Sequence, residues 1–174
     1  MKSMNRIHPA HAKLKGHPLV REFEPSELDE LLELSEPRLF PADHEICRQG
    51  DHGHSMFLMV EGEARAVAHQ SDGSEMEVGK FRVGDIFGEL TLLDNQPRNV
   101  DVIAMTDCTI MTITTALLRI LGLSAPRAAF KLTMAVLELV GARLRSANQR
   151  YMDSLNIVSA LAAGGTVMTE QQVA

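Results

Sequence analysis

Between Phe87 and Val100 the chain reads Phe-Gly-Glu-Leu-Thr-Leu-Leu-Asp-Asn-Gln-Pro-Arg-Asn-Val. A glycine-led turn at Gly88 precedes an acceptor carboxylate, Glu89, and a guanidinium follows at Arg98. Carboxylates accept from hydroxyls, and a planar guanidinium offers parallel N–H donors to phosphate oxygens. These groups are the set needed to hold a sugar and its phosphate. Taken singly, Glu89 is an ordinary helix-N-terminal acid and Arg98 an ordinary solvated charge. Gly88 directly before Glu89, with Pro97 fixing the approach to Arg98, favours a joint ligand role.

Other chemistries fail on spacing. His52-Gly53-His54 invites comparison with cupins, which bind metal through a His-x-His pair and a Glu a few residues on. The required Glu positions are held by Leu58 and Met59, and strand alternation puts Glu61 on the face opposite His52 and His54. His52 and His54 are read as exposed loop residues, His44 adds nothing at ligand spacing, and no metal or cofactor is expected. No Ser/His/Asp or Cys/His set stands out, so the chain is not read as an enzyme.

The elements that must position the cassette are legible from periodicity. Pro25-Ser26-Glu27-Leu28 opens a helix, with Ser26 as its cap, Asp29 and Glu30 in the first turn, and Leu28, Leu31, Leu32 and Leu34 on one face. Pro37 stops it. From Phe40 to Thr114 the pattern changes to short apolar runs: Glu45 to Arg48, Met56 to Val60, Ala64 to His69, Met76 to Phe81, Val100 to Ala104 and Thr109 to Ile113. Glu61-Gly62, Asp72-Gly73 and Gly84-Asp85 supply turns between them, and strands so closely spaced predict a sandwich or barrel. Helical period returns after Thr115, breaks at Ala125-Pro126, and resumes from about Ala128 toward Ala163, where Gly164-Gly165 ends it.

With 174 residues, 45% of them hydrophobic, the chain can bury one full core. The expected organisation is an N-terminal extension over 1–24, a roll with flanking helices over 25–126, a C-terminal helix over 127–163 and a short polar tail over 164–174. The net charge of -6 provides no overall positive field to draw the chain to nucleic acid or an anionic membrane. Lys2, Arg6, Lys13 and Lys15 have no apolar run behind them, so no secretory signal is read, and no stretch is long enough to span a bilayer. Cys47 and Cys108 form no close pair and are read as small packing residues in a reducing compartment, the cytoplasm.

Gly50-Asp51, Gly62, Gly84-Asp85, Phe87-Gly88-Glu89-Leu90 and Pro97-Arg98, in this order and spacing, resemble the cyclic nucleotide-binding domain of catabolite activator proteins, cyclic-nucleotide-dependent kinase regulatory subunits and gated channels. The resemblance runs from Leu28 to Leu121. It implies a mainly β fold, a jelly roll of about eight strands with an N-terminal helix and a long C-terminal helix. It also implies a short helix beginning near Glu89 whose free amides point at a cyclic phosphate, with Gly88 allowing close approach. Arg98 would pair with the phosphate oxygens and Glu89 would accept the ribose 2′-hydroxyl. Phe87, Gly88, Glu89, Leu90, Arg98, Asn99 and Val100 make up the implied site. Asn99 and Val100 depart from the small residues common in the family, which narrows the pocket. Asn99 is read either as a donor to phosphate or an acceptor from an exocyclic amine, or as a turn former. Cyclic AMP stands ahead of cyclic GMP on family frequency.

Met134, Leu137, Gly141, Leu144, Asn148, Tyr151, Leu155, Val158 and Ala162 alternate by three and four along the last helix, a seam of the coiled-coil type. Met134 and Leu137 are the members that the roll itself would cover. The remainder predicts a parallel homodimer, with Gly141 at the close approach and Asn148 setting register. The resemblance gives Asn148 a second role, reading the base edge, while Arg143, Arg145 and Arg150 solvate the outer face. The functional expectation is a stand-alone cyclic nucleotide sensor regulating an unidentified downstream protein through this helix. Two alternatives are a fragment of a catabolite-activator-type transcription regulator, whose helix-turn-helix would have to follow Ala163, and an interaction module with a degenerate pocket.

Overall fold

The computed structural model describes residues 19–35 and 37–162. Lys2, Arg6, Lys13 and Lys15, the Gly164-Gly165 helix stop and the tail over 164–174 lie outside the described residues. Helix α1 spans Pro25–Leu34 and buries Leu28, Leu31 and Leu32, the apolar face expected. Its cap is Glu24 rather than Ser26. Pro25, which has no N–H and a preset φ, takes the first helical position, and the Glu27 carboxylate accepts from the Glu24 N–H at 2.9 Å. The acid of the first turn is therefore Glu27, not Asp29 and Glu30.

Eight strands follow: β1 (Pro37–Phe40), β2 (Glu45–Cys47), β3 (Ser55–Glu61), β4 (Ala64–His69), β5 (Glu75–Phe81), β6 (Ile86–Phe87), β7 (Asp101–Ala104) and β8 (Cys108–Thr114). They form two antiparallel four-stranded sheets, ordered β1-β8-β3-β6 and β2-β7-β4-β5. The expected β runs are all present within a residue or two of their predicted bounds. Two strands lie outside that reading. β1 begins on Pro37, a residue tolerated at the start of an edge strand because no ladder N–H is required there. β6 is only two residues long, below what alternation can register.

Between the sheets Phe57 and Met59 of β3 meet Ala64, Val102, Ala104, Cys108, Ile110, Phe40 and Phe87. Met56, Leu58 and Val60 are buried as well, so β3 reads as a continuous apolar run instead of an alternating one. Cys108 sits in this core and Cys47 packs against it. Burial pushes the Cys47 thiol up to about 11 and raises that of Cys108, so both remain protonated packing residues.

Helix α2 (Glu89–Asp94) lies between β6 and β7; α3 (Thr115–Ser124) and α4 (Pro126–Ala162) follow β8. Thr114 caps α3, accepting from the Leu117 N–H. Lys131 on α4 meets Glu27 on α1 with Nζ to Oε2 at 2.6 Å. The chain divides into two units at Thr133 and Met134, inside α4. Of the seam residues in the second unit, Met134, Leu137, Leu144, Tyr151, Leu155 and Val158 are all exposed. Met134 and Leu137 are 41% and 49% exposed.

Candidate functional site

The cassette begins where β6 ends. Phe87 is buried and pairs with Phe57 of β3, the two rings stacked at 5.2 Å; Phe81 also stacks on Phe87, at 4.7 Å. Gly88 then turns the chain with φ 72°, left-handed backbone that an L side chain enters at a cost of about 1–2 kcal/mol. Glu89 opens α2 and is 4% exposed, while Leu90 beside it faces outward. The helix closes on Asn95, also left-handed, whose N–H bonds the Thr91 carbonyl.

Arg98 is the centre of the arrangement, and at 7% exposure the solvated-charge reading does not hold for it. Its main chain is stitched to the loop between β2 and β3: Arg98 N–H donates to the Asp51 carbonyl at 2.9 Å, and Gly50 N–H donates to the Arg98 carbonyl at 2.8 Å. The side chain then reaches back across the site. Nη1 donates to the Gly88 carbonyl at 2.7 Å and Nη2 to Ser55 Oγ at 3.1 Å, and the guanidinium lies 5.0 Å from the centroid of the Phe57 ring. Burial lowers the guanidinium pKa, while Cys47 and Glu89 act in the opposite direction. Glu89 and Arg98 are therefore electrostatic neighbours, at the head of α2 and at the end of the loop that follows it.

The absent Cβ atoms explain why glycines are needed here. A Cβ on Gly88 would collide with Arg98 Nη1, and one on Gly53 would stand 2.9 Å from Nη2. Gly88 thus makes room for the arginine itself, in addition to the close ligand approach expected of it.

The rest of the predicted set is placed as follows. Asn99 is exposed in the bend after Arg98. Val100 packs against the core. Asn148 is an exposed residue of α4 in the second unit. The first unit alone brings Phe87, Gly88, Glu89 and Arg98 together. His52 and His54 are exposed in the β2–β3 loop, and among the described residues no group of three His, Cys, Asp or Glu side chains is arranged to hold a metal ion.

The cassette's frame matches a known family: residues 37–121 fit the family model of the cyclic nucleotide-binding domain. Residues 37–121 belong to that family. The domain is 38% identical over 94 residues to a cAMP-dependent protein kinase regulatory subunit of Neurospora crassa, an alignment covering 54% of this chain and 24% of the relative. It is 31% identical over 100 residues to the cyclic AMP receptor protein of Thermus thermophilus, covering 58% of this chain and 46% of the relative. The chain therefore spans less than half the length of these curated relatives. Among solved structures, the catabolite activator protein of Thermus thermophilus superimposes with a TM-score of 0.71 at 27% identity, over 80% of this chain and 63% of that one.

Three residues around Arg98 were not assigned to the site from sequence: Gly53, Ser55 and Phe57. Their signal is parity. Ser55 and Phe57 alternate at the start of β3 and so share one face, the face on which Arg98 lies, and Gly53 stands two positions earlier in the loop that leads into it. Below the cassette a second cluster joins β4 to β7. His69 Nε2 meets Asp101 Oδ2 at 2.6 Å, and Gln49 N–H donates to Asp101 Oδ1 at 2.6 Å. The hydrogen bond that His69 donates to Asp101 is the main cause raising the His69 pKa, and Asp101 is held below its ordinary value by its bonds from Gln49 and His69 although burial opposes this. The clasp fixes the backbone three residues beyond Arg98.

Proposed function

We propose that this domain binds a cyclic mononucleotide, cyclic AMP in preference to cyclic GMP, and acts without catalysis as a cytoplasmic sensor that regulates a partner protein through α4. The observation that carries this reading is a buried guanidinium beside a buried carboxylate at the head of a glycine-led turn. A guanidinium offers paired N–H donors, and a phosphate diester supplies oxygens that match them. In this reading Arg98 takes the phosphate oxygens and Glu89 the ribose 2′-hydroxyl, with Asn99 at the pocket mouth. The kinase regulatory subunit and the receptor protein, both named for cyclic AMP, support the choice of ligand.

Regulation requires the ligand to favour one state of the protein. The exposed apolar seam of α4 supports a homodimer as the form in which that state is transmitted, and Asn148 from either subunit is the residue proposed to read the base. Among the described residues no helix is long and apolar enough to cross a membrane. Titration calorimetry of the purified protein with cyclic AMP and with cyclic GMP tests the reading. Saturable binding of either, tighter for cyclic AMP, is expected; failure of both rejects it.

A further inference from the structure

We propose that Ser55 and Phe57 are positioning residues for ligand binding, setting the guanidinium of Arg98 from the β3 side before any nucleotide arrives. The inference rests on the functional reading above and adds to it the source of the arginine's orientation.

An arginine side chain has several rotatable bonds, and the rotamer entropy they carry is lost when it is fixed. If the ligand had to impose that order, its affinity would fall accordingly. Here the order is already present. Ser55 Oγ accepts from Nη2 at 3.1 Å and the Gly88 carbonyl accepts from Nη1 at 2.7 Å, so the two terminal nitrogens are held from different sides. The Phe57 ring lies 5.0 Å from the guanidinium carbon, within the range of cation–π attraction. Phe57 is itself packed: it is 7% exposed and stacked on Phe87, the residue before Gly88.

These contacts use one donor on each terminal nitrogen. A guanidinium carries five N–H groups, so the second hydrogen of each Nη and that of Nε are left for an anion. The strand supplies this without touching the ligand. Gly53, Ser55 and Phe57 present, in order along the chain, open space, a hydroxyl acceptor and an aromatic surface to a single side chain.

Ser55→Ala, Ser55→Thr and Phe57→Leu, each measured by calorimetry with cyclic AMP alongside a thermal melt, test the proposal. Ser55 is only half-buried, so its alanine variant should melt close to the parent. Expected for Ser55→Ala is a loss of affinity of about 10- to 150-fold, from one hydrogen bond to a charged group. Ser55→Thr, which keeps the hydroxyl, should recover binding to within about threefold. In an Arg98→Lys background, where the fork is gone, Ser55→Ala should add less than about twofold, a coupling that a general loss of stability would not produce. Phe57→Leu should weaken binding by about threefold or more in a protein that still melts cooperatively. Parent protein that binds cyclic AMP while Ser55→Ala binds equally well overturns this inference and leaves the functional reading standing. Parent protein that binds neither cyclic nucleotide overturns both.

Discussion

Gly53→Ala probes the site through a single methyl group. The new Cβ would stand 2.9 Å from Arg98 Nη2 and 3.4 Å from both Cζ and Nε. Relaxed carbon contacts lie at about 3.5–4.0 Å, so the guanidinium has to withdraw by roughly 0.6 Å or more. The Ser55 bond starts at 3.1 Å, and an equal displacement along it takes it beyond hydrogen-bonding range. Loss of that bond to a charged group is worth about 1.5–3 kcal/mol, or about 10- to 150-fold in affinity, where the ligand depends on the arginine's position. Stability should respond quite differently. Gly53 does not occupy left-handed backbone, so alanine lowers the entropy of the unfolded chain at no conformational cost, a gain of about 0.4–1 kcal/mol that offsets much of the lost contact. The variant should therefore melt near the parent temperature while binding cyclic AMP at least tenfold more weakly in calorimetry. Equal affinity in a variant of equal stability would show that the guanidinium position does not govern binding, and the account of the site would be wrong.

Arg98→Ala should weaken nucleotide binding by about 2–5 kcal/mol in the same assay, since it removes one partner of a buried charge pair. Leu155→Glu, on the exposed seam of α4, should convert a dimer to a monomer in analytical ultracentrifugation; an unchanged sedimentation coefficient would remove the seam from the interface. The Glu27–Lys131 pair lowers the Glu27 pKa, chiefly through its hydrogen bond, so its stabilisation is present above the ordinary carboxylate value of 4.5 and is lost as pH falls through the lowered one. Lys131→Met should cost about 1–2 kcal/mol near neutral pH in urea unfolding, with the gap to the parent closing on acidification below that value. His69 behaves with the opposite sign. Its pKa is raised by Asp101, so its contribution is complete below 6.5 and fades as pH rises through the raised value, and an NMR titration should place the imidazole midpoint above 6.5.

What the sequence disclosed and what it withheld follow from the range over which each interaction acts. The strands from β2 to β8 are legible wherever an apolar run is bounded by turn residues, because that pattern is local. β6 escapes because two residues have no period, although Phe87 at its end anchors the cassette in the core. The cap of α1 is misplaced from Glu24 to Ser26 because a capping residue with a short hydroxyl side chain is the commoner choice, and the reciprocal Glu27 contact depends on geometry at Pro25. In the site, Gly88, Glu89 and Arg98 are visible as a chemical set. Ser55, 43 positions before Arg98, is not, since nothing in a list of residues says which strand passes behind the guanidinium.

That distance in sequence alters how the cassette is best understood. A linear motif from Phe87 to Arg98 contains the groups that would meet a nucleotide, but its arginine is held by the β2–β3 loop and the first residues of β3 as well as by Gly88. Gly50 and Asp51 pair with the Arg98 main chain, Gly53 yields it space, Ser55 accepts one of its hydrogen bonds and Phe57 supports its plane. The cassette and this segment form one binding element made of two strands of chain. A change at 53, 55 or 57 should therefore register in ligand affinity as a change at Arg98 would, in smaller measure, while a change at the exposed Leu90 should not.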